Sequence, residues 1–338
     1  MLTRAVATAT FLAGDPVRHA PTGQTPHAVV FRQGKASLRY FPPQGAARTR
    51  PLFVSMPLIN TWTVFDLLPG RSTIEKLVQA GVPVYMLDWG RPGPEDATRT
   101  FADHADGVLP RMLRRAARHA REEGTLADDE LPDALGYCVG GTFLTVCLAR
   151  NPGLARRLAL LAAPIDFHAS GRLSTWASAA TFPVDDVIDG FGNYPAALMK
   201  GSFALLRPSN STAKWKGLWD GMETPGFPEL WAAMEQWNDD SVDFCGETYR
   251  EYIRRCYFEN APMAGGWMMA GRPVDLRAGT LPALVLAADK DHICPPEAAF
   301  GLAKVWGGPV ETRTLKGGHV GVCIGKALPE ALIGWMNA

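Results

Sequence analysis

The sequence contains no C-x-x-C pair, and its six cysteines (Cys138, Cys147, Cys245, Cys256, Cys294, Cys323) are scattered over 338 residues. That scatter argues against a disulfide framework and a thiolate zinc site and fits a reducing compartment. No apolar run approaches the about 18 residues of a membrane-spanning helix. Charge is scarce at 20%, and 34 basic residues balance 34 acidic ones, so the formal net charge is zero. A neutral chain is no general electrostatic trap for nucleic acid. Metal-ligand spacing, a phosphate-cradling loop and a dinucleotide fingerprint are all missing, so neither metal nor cofactor is expected. There is no internal repeat and no low-complexity linker. Arg4 followed by Ala5 to Gly14 faintly resembles a signal peptide, but Asp15-Pro16 closes it without a cleavage pattern, and a cytoplasmic chain is expected.

Apolar residues make up 47% of the chain, enough for a sizeable core. Buried-strand patterns run over Pro51–Ile59, Val82–Asp88, Leu131–Tyr137, Arg157–Ala163 and Ala283–Ala288. Helical patterns lie between them, over Arg71–Ala80, Gly107–Glu123 (with a basic outer face) and Thr142–Arg150. Alternation of this kind implies an α/β fold with a mostly parallel sheet covered on both faces. Ala28–Tyr40 reads as a hairpin at the sheet edge, turning at Gln33-Gly34-Lys35. The alternation stops at about residue 166 and resumes at 275. The intervening stretch reads as loop-rich and holds six of the ten tryptophans, which suggests a cap (166–274) inserted into a core of 1–165 and 275–338.

Gly136-Tyr137-Cys138-Val139-Gly140-Gly141 lies between a strand and a helix. It matches the nucleophile elbow G-x-S-x-G with cysteine in place of serine, the signature of an α/β-hydrolase fold. A sharp turn there strains the nucleophile's backbone, and glycines two before and two after it relieve the crowding. The following helix N-terminus favours a thiolate. The Val139 amide is one candidate oxyanion donor, and a second is expected around Leu58 to Asn60, with Ile59 at its centre. A thiol needs a base and the base an orienting acid, in the chain order nucleophile, acid, histidine. Asp291 and His319 meet that order, each just after a late strand. Asp289 competes as the acid and His292 as the base; the first is close enough to its strand to cap a turn, and the second directly adjoins Asp291. His19, His27, His104, His119 and His168 sit in surface or structural contexts.

These residues resemble the polyhydroxyalkanoate synthases from about Thr25 to the end. Gly136 to Gly141 is similar to that family's cysteine lipase box. Leu58-Ile59-Asn60, Asp88-Trp89-Gly90, Trp237-Asn238-Asp239-Asp240-Ser241, Tyr257 with Glu259-Asn260, Asp291-His292-Ile293 and Gly317-Gly318-His319 follow in the family's order. The resemblance implies polymerisation of 3-hydroxyacyl-CoA into a polyester with release of CoA. It implies Cys138 as nucleophile, His319 as base, Asp291 assisting the 3-hydroxyl, and Asn60, Trp237 and His292 beside the substrate. It also implies a homodimer at the surface of polyester granules, with no cofactor. The short N-terminal region is similar to that of the catalytic subunits that work with a second, non-catalytic subunit (class III), whereas Gly-Tyr-Cys resembles the longer enzymes. Arg207-Pro208-Ser209-Asn210 matches the family's cap motif only in part.

The same triad would also serve a cysteine thioesterase or dienelactone-type hydrolase. A non-catalytic granule-binding protein is a third reading, and it would have no need of Cys138, Asp291 and His319 together.

Overall fold

The structure is a computed structural model that describes residues 2–169, 171–206 and 209–338. Its frame is one sheet of eight strands: β1 (Ala28–Gln33), β2 (Ala36–Phe41), β3 (Leu52–Ser55), β4 (Val84–Asp88), β5 (Asp133–Tyr137), β6 (Leu158–Leu161), β7 (Ala283–Ala288) and β8 (Val310–Leu315). They lie in the order β1-β2-β4-β3-β5-β6-β7-β8. β1 and β2 form the expected edge hairpin, β2 runs antiparallel to β4, and all remaining pairs are parallel. Every residue of β3, β5, β6 and β7 is buried, as a sheet covered by helices on both faces requires. β8 closes the far edge and is mostly exposed; its Glu311 and Arg313 keep that edge from pairing with another chain.

The structure corrects several boundaries, each for a local reason. The helix expected from Arg71 begins at Thr73, because Ser72 accepts the Glu75 amide at 2.8 Å and caps it. The strand expected over Pro51–Ile59 ends at Ser55, before Pro57, which has no amide to donate to a ladder. Residues 56–59 stay buried as a loop, tied by the Trp89 indole to the Met56 carbonyl. Helix Leu109–Glu122 follows a π-helical turn over Asp103–Val108; it buries Met112, Leu113, Ala116 and Ala120 and turns Arg111, Arg114 and Arg118 to solvent. Helix Val139–Arg150 starts immediately after Cys138, three residues earlier than its apolar pattern suggests.

The stretch read as loop-rich is mainly helical. It carries helices Val184–Phe191, Ala196–Leu206, Ser209–Gly221, Phe227–Asp239 and Gly246–Glu251. Glycines and prolines stand at its helix ends: Gly192 (φ 75°) closes one helix, while Gly226 (φ 77°) and Pro228 open another. Arg207 and Pro208 lie outside the described residues. Trp231, Leu218 and Ala232 form a small second hydrophobic cluster, against which Phe11 and Val17 pack. The N-terminal stretch that resembles a signal peptide is helical over Leu2–Ala13, with Arg4 paired to Glu223 at 2.6 Å. Among the described residues no helix is long and apolar enough to cross a membrane.

Candidate active site

Cys138 occupies the single step between β5 and helix Val139–Arg150, with φ 51° and ψ −136°. A non-glycine residue held there costs about 1–3 kcal/mol, which the surroundings must supply. Its amide donates to the Leu161 carbonyl of β6 at 3.0 Å, and its carbonyl accepts the Gly141 amide at 2.9 Å. The glycines around it do not act as expected. Gly136 and Gly140 do not relieve each other: a Cβ on Gly136 would strike Gly141, and one on Gly140 would strike the Met56 carbonyl. Gly141 is the third required glycine, since a Cβ there would collide with Ala163 at 2.5 Å. The turn is therefore packed against three neighbours, and Gly140 lets the helix start touch the loop after β3.

Short loops after β7 and β8 bring Asp291 and His319 together. His319 Nδ1 lies 2.6 Å from Asp291 Oδ2. The other carboxylate oxygen accepts the amides of Ile293 and Cys294, both at 2.9 Å, so Asp291 is fixed at both ends. Asp289 instead accepts the Gly317 amide at 2.7 Å and caps the turn. Burial alone would lower the basicity of His319. The negative charges of Cys138 and Asp291 and hydrogen bonds to both outweigh burial and raise its pKa to about 10. With Nδ1 committed to Asp291, the other ring nitrogen is the one left for the thiol. Burial pushes the thiols of Cys147, Cys245, Cys256, Cys294 and Cys323 upward, leaving them inert.

Cys138 opens into two cavities. The larger, about 590 Å³, is lined by Ile59, Asn60, Trp237 and His319, among others. The smaller, about 120 Å³, is walled by aromatic side chains including Phe244, Tyr252 and Tyr257. Asn60 donates to Ser241 Oγ at 3.2 Å and the Trp237 indole to the Thr61 carbonyl at 3.0 Å, which staples helix Phe227–Asp239 to the loop after β3. Ile59 borders both cavities, and its carbonyl accepts the Val242 amide at 3.0 Å. Val139 reaches the smaller one. His292 stands apart from the thiol, in a neighbouring cavity of about 370 Å³ that also meets His319. His27, His104, His119 and His168 bond to Thr25, Thr100, Tyr85 and Tyr257, and His19 is exposed. Sequence reasoning missed Tyr252 and the wall from helix Ala196–Leu206 (Met199, Phe203), because nothing in a lone aromatic or methionine distinguishes wall from packing. Among the described residues no group of three or more His, Cys, Asp or Glu could hold a metal ion.

No protein-family model matches the chain. It is 33% identical over 329 residues to the poly(3-hydroxyalkanoate) polymerase subunit PhaC of Allochromatium vinosum, covering 94% of this chain and 89% of that one. The chain belongs to the poly(3-hydroxyalkanoate) polymerase family. Another member, from Thiocystis violacea, is 30% identical with the same two coverages. A member from Haloferax mediterranei is 31% identical, and the chain spans 62% of its length. Among solved structures, Est1E of Butyrivibrio proteoclasticus superposes with a TM-score of 0.52 at 14% identity, covering 92% of this chain and 97% of that one. A membrane phospholipase A does so at 0.50 and 12%, covering 100% and 92%. At such identities these two establish the α/β-hydrolase fold of this polymerase family member and nothing about its substrate.

Proposed function

We propose that the chain polymerises 3-hydroxyacyl-CoA into a polyester through a covalent acyl-cysteine. The observation that carries this reading is a thiol on a strained turn beside an imidazole that is hydrogen-bonded to a buried carboxylate. In the proposed first step Cys138 Sγ, whose proton His319 has already taken to form a thiolate–imidazolium pair, attacks the thioester carbonyl. The bond to the CoA sulfur breaks, and CoA leaves with the proton from the imidazolium. One thioester replaces another, so the exchange is nearly neutral in energy. The amides of Val139 and Ile59 are the proposed donors to the transient oxyanion. In the second step the 3-hydroxyl of one unit attacks the carbonyl of an acyl thioester, assisted by Asp291 alone or through His319. An ester forms and a thiol is released.

Asn60, Trp237 and His292 are proposed to line the substrate's path. We read the 166–274 segment as a cap whose aromatic wall keeps water from the acyl-enzyme. Homodimerisation, a second non-catalytic subunit and attachment to the polyester granule surface complete the proposal. Assaying thiol release from 3-hydroxybutyryl-CoA and then extracting the product tests it. Free CoA with insoluble polyester is expected. Free CoA with only monomeric hydroxy acid would make the chain a thioesterase.

A further inference from the structure

The loop that carries His319 has glycine at 317, 318 and 321, so its backbone has little stiffness of its own. Asp291 holds the ring at Nδ1, so whether its other nitrogen meets Cys138 depends on where the loop places the ring. Two hydroxyls restrain the rest. Thr73 Oγ donates to the Cys323 carbonyl at 2.6 Å, just beyond the loop. The Tyr137 hydroxyl donates to the carbonyl of His319 itself at 3.3 Å, and Cys323 Sγ lies 3.9 Å from the same oxygen. Tyr137 is the residue immediately before Cys138. Its ring lies against the imidazole, with centroids 5.4 Å apart at 33°, and Phe65 contacts it at 5.5 Å. Phenylalanine would fill this buried space equally well, so packing accounts for the ring and leaves the hydroxyl unexplained.

We propose that Tyr137 is a positioning residue whose hydroxyl, by holding the His319 carbonyl, fixes the imidazole in register with Cys138. One side chain thereby couples the nucleophile's strand to the base's loop. The proposal rests on the reading of Cys138 and His319 as nucleophile and base. The groups that share the pocket with the phenol and the imidazole are Cys138, Asp291 and Cys323.

The test is Tyr137→Phe, which keeps the ring and removes the hydroxyl. Two quantities are read: the rate at which iodoacetamide alkylates Cys138 at pH 7, located by peptide mass, and kcat and KM with 3-hydroxybutyryl-CoA. Misaligning a reacting pair by a fraction of an ångström costs about tenfold. We therefore expect alkylation and kcat each to fall by about that factor, with KM within twofold and Tm nearly unchanged. Alkylation and kcat both within twofold of wild type would overturn the proposal. So would a loss of kcat that merely tracks a lowered Tm while alkylation of the folded protein is unchanged. Should Y137F not fold, Thr73→Val decides, since it frees the other anchor of the same loop: a fall in kcat at constant KM supports the proposal, and an unchanged kcat overturns it. Wild-type alkylation no faster than that of His319→Gln would instead overturn the pairing of Cys138 with His319.

Discussion

The two walls of the Cys138 cavity are built differently. On the sheet side, Cys138, Asp291 and His319 lie one to four residues beyond strand ends; backbone hydrogen bonds hold the first two, and the Asp291 carboxylate holds the His319 ring. On the other side, the 166–274 segment supplies its wall from long helices held by a few side-chain staples, such as Trp237 to Thr61. Among the described residues, seven of the ten exposed large apolar side chains belong to that segment, including Phe191, Leu205 and Trp215. The proposed nucleophile, acid and base are thus placed at the ends of the buried sheet strands. The facing wall belongs to a part with its own small core and an exposed apolar surface. Strand-end anchoring and the apolar wall are separated in space.

The largest effect that would break this contrast is at the thiol. Cys138→Ala should reduce CoA release by about 10³-fold or more while leaving the far-ultraviolet spectrum and Tm near wild type, because only one sulfur is removed. Residual turnover above that level would move the nucleophile elsewhere. Next comes the elbow itself. Gly140→Ala places a methyl against the Met56 carbonyl and should cost about 3 kcal/mol or prevent folding, as read by urea unfolding. A tolerated alanine would mean that the β3 loop and the helix start are not locked together.

The sheet side was also the legible side. A strand, a glycine-flanked cysteine and a helix can be read in order because each step is enforced by a clash that only glycine avoids. Asp291 was preferred to the competing Asp289 only because the latter lies close enough to its strand to cap a turn. What separated it from Asp289 was which oxygen reaches the imidazole, and that depends on turn geometry unavailable to the sequence. The 166–274 segment was misread as loop for a physical reason. Helices Ala196–Leu206 and Ser209–Gly221 lack a clean apolar stripe, since exposed Leu198, Leu205, Trp215 and Trp219 blur the period, and glycines and prolines mark helix ends as readily as loops. Within the elbow, the pairing of glycines also came out wrong, because Gly140 faces a different strand's loop and not Gly136.

The proton on His319 gives a test with a definite sign. A pKa raised to about 10 means the imidazolium persists below that pH and is lost as pH rises through it. Single-turnover CoA release should therefore stay flat across the neutral range and decline only near pH 10, where the leaving thiolate loses its proton donor. In His319→Gln the rate should be far lower and that alkaline limb absent. A wild-type rate that climbs through the ordinary imidazole range near 6.5 would show a free base at rest. The two acids should then separate. Asp291→Asn should spare acylation of Cys138 more than chain growth. Asp289→Asn should leave both steps alone and cost only about 1 kcal/mol, through the weakened bond to the Gly317 amide.

The smallest effect belongs to the other wall. Gly217 lies inside helix Ser209–Gly221, and a Cβ there would meet nothing within 4 Å. Glycine in a helix interior costs about 1 kcal/mol relative to alanine, through the backbone freedom it keeps when unfolded. Gly217→Ala should therefore raise Tm by about 2 °C, opposite in sign to Gly140→Ala although the chemical change is identical. If the helix serves only as wall, kcat should be unchanged. A rise in Tm accompanied by a fall in kcat would show that this glycine keeps the helix loose, and that enclosing the substrate requires the segment to open. Reading Tm and kcat together on one alanine thus decides whether the apolar wall is a fixed surface or a working part.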